Sequence, residues 1–283
     1  MSVTAPRPAP LLPEQAFLRA CALDVAVRKP GNVSHASPGH GMQAAQFLAS
    51  ARAAVGPLCQ RGATVGARIE AAVQATQAVA GCNTNLGIVL LCAPLAAAAE
   101  RGGELRSALQ AVLAELTVDD AAAAFRAIAL AKPGGLGQAP EADVHAPARV
   151  SLLQAMTLAA GRDRVARQYR DAFAECFTGG LQALPAGFKL VENPVPVSAV
   201  QAVFMAWLAS APDSHIVRKH GGSVAQNVMS VARRWRAGDP AAATLDTDPA
   251  FQAWDAELKA EGLNPGTSAD LTVATLMLAG LLG

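Results

Sequence analysis

A glycine-flanked turn and four punctuated loops collect the side chains of this chain that could do chemistry. The turn is Gly81-Cys82-Asn83-Thr84-Asn85-Leu86-Gly87. Its carboxamides and hydroxyl stand where a helix begins, beside backbone N–H groups with no intrahelical partner. Such a start can receive an anionic or strongly hydrogen-bonding ligand. It can equally be a well-capped core helix, because one of these side chains suffices as the cap. The first loop runs Lys29-Pro30-Gly31-Asn32-Val33-Ser34-His35 and on through Pro38-Gly39-His40-Gly41. The second is Lys132-Pro133-Gly134-Gly135-Leu136-Gly137, followed by Glu141, Asp143 and His145. The third spans Pro212-Asp213-Ser214-His215 to Arg218-Lys219-His220-Gly221, and the fourth is Asn264-Pro265-Gly266-Thr267-Ser268-Ala269-Asp270. Proline and glycine deny these segments regular structure and leave backbone donors open.

Lys29, Lys132, Arg218 and Lys219 are the candidate phosphate cations, each beside glycine-bearing backbone. A lysine before Pro-Gly also serves simply as a solvated turn residue. Asp24, Asp143, Asp213 and Asp270 are the carboxylates in or beside the loops. Asp213 follows a proline ahead of a helix and is expected to be an N-cap. Asp143 could merely solvate its loop. Asp24 interrupts an otherwise apolar helix, which favours a site role. Thr267 to Asp270 has the spacing of a capping box, so Asp270 has a structural reading beside the catalytic one. His215 and His220, five apart, do not share a helix face, and metal ligation by histidine is not expected. His35 and His40 are expected as neutral hydrogen-bonding groups. Tyr169 and Phe173, four apart, are expected in the core.

The elements that must hold these loops are helices. Residues 86–99 carry no charge until Glu100 and need a helix buried on most sides. Further helices are expected from Pro13 to about Val27 and over 42–55, 63–79 and 104–116. Thr117-Val118-Asp119-Asp120 opens another, and others follow at 148–160, 162–177, 197–210, 223–236, 249–260 and 268–281. No window alternates β-branched residues at period two, so the fold class is all-α. The expectation is about ten or eleven helices in one domain over 13–283, after a disordered proline-rich lead over 1–12.

The totals narrow the function. Hydrophobic residues make up 52% of the 283 and charged ones 16%, which excludes a disordered or fibrous chain. A net charge of +1 gives no general attraction to nucleic acid or an anionic membrane, so phosphate binding needs local clusters. Five scattered cysteines never spaced as C-x-x-C argue against a disulfide framework and a zinc knuckle, and fit a reducing cytoplasm. The apolar run at 86–99 is short for a membrane span.

Together, Lys29 to Val33, Gly81 to Gly87, Pro133-Gly134-Gly135-Leu136-Gly137, Arg218-Lys219 and Asn264 to Leu271 resemble the triphosphoribosyl-dephospho-CoA synthase family. The blocks keep the family's order over about residues 14–282. The resemblance implies an all-helical transferase that moves the triphosphoribosyl unit of ATP onto the ribose 2′-hydroxyl of dephospho-CoA and releases adenine. The product is the precursor of the prosthetic group of citrate lyase and malonate decarboxylase. Breaking the N-glycosidic bond builds positive charge on the ribose C1, as in glycoside hydrolysis. A carboxylate can stabilise that charge or take the acceptor's proton. The triphosphate calls for Mg²⁺ and for cationic or backbone donors. Mapped on this chain, the catalytic residues would be Asp270, Asp24 and Asp143, with Asp270 and Asp24 also holding the metal. Substrate would be held by Lys29, Gly31, Asn32, His40, Asn83, Thr84, Asn85, Lys132, Gly134, Gly135, Arg218, Lys219, Asn264 and Thr267. The turn departs from the citrate-lyase type, whose Asn-Thr-His-Lys-Gly has two more basic groups. The first loop lacks the acid of that type's Gly-Ser-His-x-Asp-Met segment. In this the chain is more similar to a divergent branch in methanogens and methylotrophs. That branch admits another acceptor, in one-carbon cofactor synthesis of the methanopterin or methanofuran kind. The reading from a different class is a non-catalytic nucleotide-binding scaffold.

Overall fold

The computed structural model describes residues 9–134, 141–191, 197–237 and 245–283. Among them lie thirteen α-helices and no strand: α1 (Pro13–Ala26), α2 (Ala44–Leu58), α3 (Val65–Ala80), α4 (Leu86–Arg101), α5 (Leu105–Ala114), α6 (Val118–Ala131), α7 (Leu152–Ala159), α8 (Arg164–Arg170), α9 (Val197–Ser210), α10 (Ser214–His220), α11 (Gly222–Ala237), α12 (Pro249–Ala260) and α13 (Gly266–Leu282). The all-α reading holds, and the helix count exceeds the ten or eleven expected. One segment adds a helix and another is cut short. Residues 214–220, read as loop, form α10, which Gly221 at φ 90° separates from α11. The helix expected over 162–177 stops at Arg170, where Ala172 and Phe173 take positive φ. The Phe173 N–H reaches back to the Gln168 carbonyl at 2.7 Å, and the chain resumes as a π-helical turn, Cys176–Gly180. Full burial of the Phe173 ring beside Tyr169, 5.9 Å between centroids, offsets that local strain.

Helix α4 lies at the centre and packs on α1, α2, α3, α5, α8 and α13. Leu91 and Leu95 are fully enclosed, each contributing about 1.5–3 kcal/mol through burial. Pro94 has no N–H for the Leu90 carbonyl one turn back. Tyr169 from α8 supplies the missing donor, its hydroxyl meeting that oxygen at 2.5 Å. The charge-free run therefore stays helical through an internal proline.

Helix α13 is the second buried axis. The Leu11 N–H donates to the Gly280 carbonyl at 2.9 Å, tying the lead-in to α1 onto its far end. A smaller cluster joins α9, α10, α11 and α12 around Phe251, Trp254 and the stacked Trp235. The first loop is fastened to α12 by the fully buried Asp255. That carboxylate accepts from the Gly31 N–H (2.9 Å), the Ser37 hydroxyl (2.6 Å) and Arg28 Nη1 (2.8 Å), and also pairs with Lys259. Among the described residues no single helix is long and apolar enough to cross a membrane.

Candidate active site

The C-terminal end of α1, the starts of α4, α10 and α13, and α6 to α8 enclose a cavity of about 490 Å³, a size that takes small molecules. One part of its lining is polar, from Asp24, Asn32, Asn83, Thr84, Asn85, His215, Arg218, Asn264, Thr267 and Asp270. Phe125 and Ile128 of α6 and Leu152, Ala155 and Met156 of α7 give it an apolar wall. Glu141, Asp143, Arg162 and Asp163 complete the charged lining. The lining thus carries five carboxyl groups and two guanidiniums.

The starts of α4 and α13 meet edge to edge. A Cβ on Gly87 would fall 2.0 Å from Asp270 Oδ2, so the second glycine of the turn makes room for the acid. Asp270 is the fifth residue of α13, whose N-cap position is Pro265 with no side-chain cap. The capping reading of Asp270 is therefore set aside: its carboxylate lines the cavity and no hydrogen bond to it occurs among the described residues. Burial raises its pKa well above the usual carboxylate range, with the charges of Asp213, Asp24 and Asp163 adding to that and Arg218 opposing it. Gly87→Ala should disturb this contact directly. The expected result is a folded protein in which turnover drops about tenfold or more, read by parallel melting and rate measurements, since an ångström of misplacement is costly at a reacting centre.

Asp24 is buried at the end of α1, with Lys29 Nζ 3.0 Å from its Oδ1. The same ammonium donates to the Asp24 carbonyl at 2.6 Å. Burial raises the Asp24 pKa and Lys29 pulls it back. Lys29, expected among the phosphate cations, is placed away from the cavity. It is fully enclosed, does not line the cavity, and neutralises Asp24 from behind rather than meeting a phosphate.

The carboxamides form a polar floor. Asn32 Nδ2 donates to Asn264 Oδ1 at 2.8 Å, joining the first and fourth loops. Asn83 Oδ1 takes the Leu86 N–H at 3.1 Å, and the Thr84 hydroxyl donates to Ser50 Oγ at 2.7 Å. Asn85 Nδ2 is buried with no hydrogen-bond partner, an orphaned donor beside the cavity. One residue of the turn does the capping, and the others line the cavity.

Helix α10 brings Arg218, whose Nε donates to the Gly134 carbonyl at 3.1 Å and whose Nη1 pairs with Asp163 at 3.3 Å. His215 lines the cavity with its Nε2 buried and without a partner. Its pKa is pushed down to about 3 by burial and by Arg218 and Lys219, so the ring is neutral. Asp213 caps α10 as expected, its Oδ1 accepting from the N–H groups of His215 (2.9 Å) and Ile216 (3.3 Å).

The structure thus brings Asp24, Asn32, Asn83, Thr84, Asn85, Gly134, Asp143, Arg218, Asn264, Thr267 and Asp270 to one cavity. Besides Lys29, four others stand off its lining. Gly31, at φ 77°, is needed because a Cβ there would lie 2.6 Å from the Leu263 carbonyl. His40 holds its Nε2 2.7 Å from the Gly31 carbonyl. Lys132 is an exposed left-handed C-cap of α6, and Lys219 is exposed and lies across the Gly134 backbone. Gly135 lies outside the described residues. The sequence reading missed His215, Asp163 and Gly87. The polar third stretch was the available signal for the histidine, and Asp163 looked like an ordinary helix start.

Comparisons with known proteins bear on the family and the fold. A family model described as ATP:dephospho-CoA triphosphoribosyl transferase matches residues 11–283. Among solved structures, a candidate triphosphoribosyl-dephospho-CoA synthase from Archaeoglobus fulgidus is 22% identical, with a TM-score of 0.64 over 84% of this chain and 99% of its own. At that identity the likeness speaks for the fold. No curated protein matches the chain. The family match runs through every loop that builds the cavity, and the chain belongs to the ATP:dephospho-CoA triphosphoribosyl transferase family, an enzyme of the triphosphoribosyl-dephospho-CoA synthase type.

Proposed function

We propose that the cavity transfers the triphosphoribosyl unit of ATP to the ribose 2′-hydroxyl of dephospho-CoA, with release of adenine. The observation that carries this reading is Asp270, a carboxyl group with a raised pKa at the junction of two helix starts, across from an aspartate balanced by its own lysine. Two acids with separated environments suit a reaction that needs a proton given and a proton taken. Asp270 donates its proton to the departing adenine as the glycosidic bond breaks. It then takes the proton of the 2′-hydroxyl as the new C1–O bond forms, which restores its starting state. Asp24, with Lys29 behind it, faces the positive charge that develops on C1. Arg218 meets the triphosphate, and the α6–α7 wall takes uncharged parts of the substrates.

Oxygen ligands suit Mg²⁺, and the lining offers several carboxylates. No cluster of three or more metal-binding side chains occurs among the described residues, and an ion held by phosphates and one or two carboxylates needs none. Asp163, beside Arg218, would hold it together with the triphosphate. Asp24 is already neutralised by Lys29, and a raised pKa sets a proton against a metal at Asp270, so neither expected ligand is the better one. When bound, Mg²⁺ neutralises phosphate charge and lets a polyanion sit among acids. The five free cysteines support a cytoplasmic setting.

The test is incubation with ATP, Mg²⁺ and dephospho-CoA, with adenine and the coupled product read by chromatography. No adenine above a protein-free control would refute the reaction, and adenine without product would point to another acceptor. Arg218→Ala should fold normally and raise the KM for ATP about tenfold or more. A charge-assisted contact is worth about 1.5–3 kcal/mol. An unchanged KM would take Arg218 away from the triphosphate.

A further inference from the structure

Asp213 takes no part in the proposed chemistry, yet it is fully buried and its two oxygens serve two different helices. Oδ1 accepts the His215 and Ile216 N–H groups at the start of α10. Oδ2 accepts the Ser268 N–H at 2.7 Å and the Ser268 hydroxyl at 2.8 Å in the first turn of α13. Helix α13 has no capping side chain of its own, so Asp213 replaces one from 55 residues away. We propose that Asp213 is a positioning residue for the transfer, one carboxylate that locks the helix bearing His215 and Arg218 onto the helix bearing Thr267 and Asp270.

Three features support a role beyond stability. An N-cap needs one acceptor oxygen, and Oδ1 alone meets that need for α10. The second oxygen ties the helix that carries the cation Arg218 to the helix that carries the carboxyl group of Asp270, both of which line the cavity. Burial raises the pKa of Asp213 itself and its four hydrogen bonds pull it back. In its ionised form it adds negative charge against Asp270, as Asp24 and Asp163 do, while Arg218 acts in the opposite direction. Two thiols, Cys21 and Cys92, also lie within electrostatic reach of Asp270, and Lys29 stands behind Asp24. Removing Asp213's charge therefore alters one face of that surrounding and leaves the others in place.

The inference rests on the proposed reaction, and its test separates the two. A wild-type protein that releases no adenine refutes the reaction; an active wild type with an indifferent Asp213 refutes only the positioning role. Asp213→Asn keeps one acceptor oxygen and loses the charge. It is expected to fold, to lower kcat for adenine release about tenfold or more, and to move the pH limb of kcat set by Asp270 to lower pH. Asp213→Glu keeps the charge and changes the reach, so it should lower kcat without that shift. Wild-type kcat and an unmoved pH limb in folded Asp213→Asn overturn the proposal. Where that variant does not fold, Ser268→Ala decides, since it removes the hydroxyl partner alone. A kcat lowered threefold or more supports the role, and a wild-type kcat overturns it.

Discussion

Replacing Asp270 with asparagine is expected to give a folded protein that melts higher at neutral pH and releases adenine at least about a hundredfold more slowly. The rate loss follows from the role of the carboxyl group, because an amide neither gives nor takes the proton. The gain in stability follows from its surroundings. Burial, with Asp213, Asp24 and Asp163 close by, raises its pKa far above the value near 4 of an unfolded chain. Between those two values the folded chain holds a proton that the unfolded chain has released, so stability declines as pH rises through that window. Asparagine has no such proton, and its advantage over wild type should grow from pH 4 upward. Melting curves at several pH values, beside adenine assays, check both halves. A variant that melts lower and turns over ATP normally would remove Asp270 from the chemistry.

Lys29→Met has the other large effect, and it falls on stability. The ammonium is fully enclosed and is the partner of Asp24, so its loss strands a buried carboxylate. Breaking a buried pair from one side costs about 3–5 kcal/mol, whereas removing both partners costs much less. Urea denaturation should show a sharply lowered midpoint for Lys29→Met and a substantial recovery in the Asp24→Asn, Lys29→Met double variant. An unchanged midpoint together with weakened ATP binding would return Lys29 to the phosphate-binding set.

The two substitutions sort residues that look alike in the sequence. Lys29 and Lys132 both precede Pro-Gly, and neither reaches the cavity. One is drawn inward by a buried acid five residues earlier in the chain, and the other ends a helix in solvent. Arg218 belongs to the site because α10 forms, and α10 forms because Asp213 caps it. Charge and neighbouring glycine are visible in a string of letters, but the direction a long side chain takes is set by which partner is already buried.

The sequence by itself determined what is local or repeated: an all-helical chain, the charge-free central helix after Gly87, the loops between helices, and a grouping of motifs that marks the family. Periodicity, caps and breakers act over a few residues, so they are written where they operate. Tertiary structure alone decided that Asp270 is a cavity acid and no cap, because Gly87, far away in sequence, leaves the space it occupies. It alone decided that Asp213 serves two helices, that Tyr169 repairs the helix at Pro94, and that His215 lines the cavity as a neutral ring. For Asp270, Asp213 and Tyr169 the deciding partner lies tens to hundreds of residues away, while His215 owes its state to burial and to the nearby Arg218 and Lys219. Burial, which raises the pKa of a carboxyl group and makes a lysine its counter-ion, is a property of the packed fold and of no segment within it.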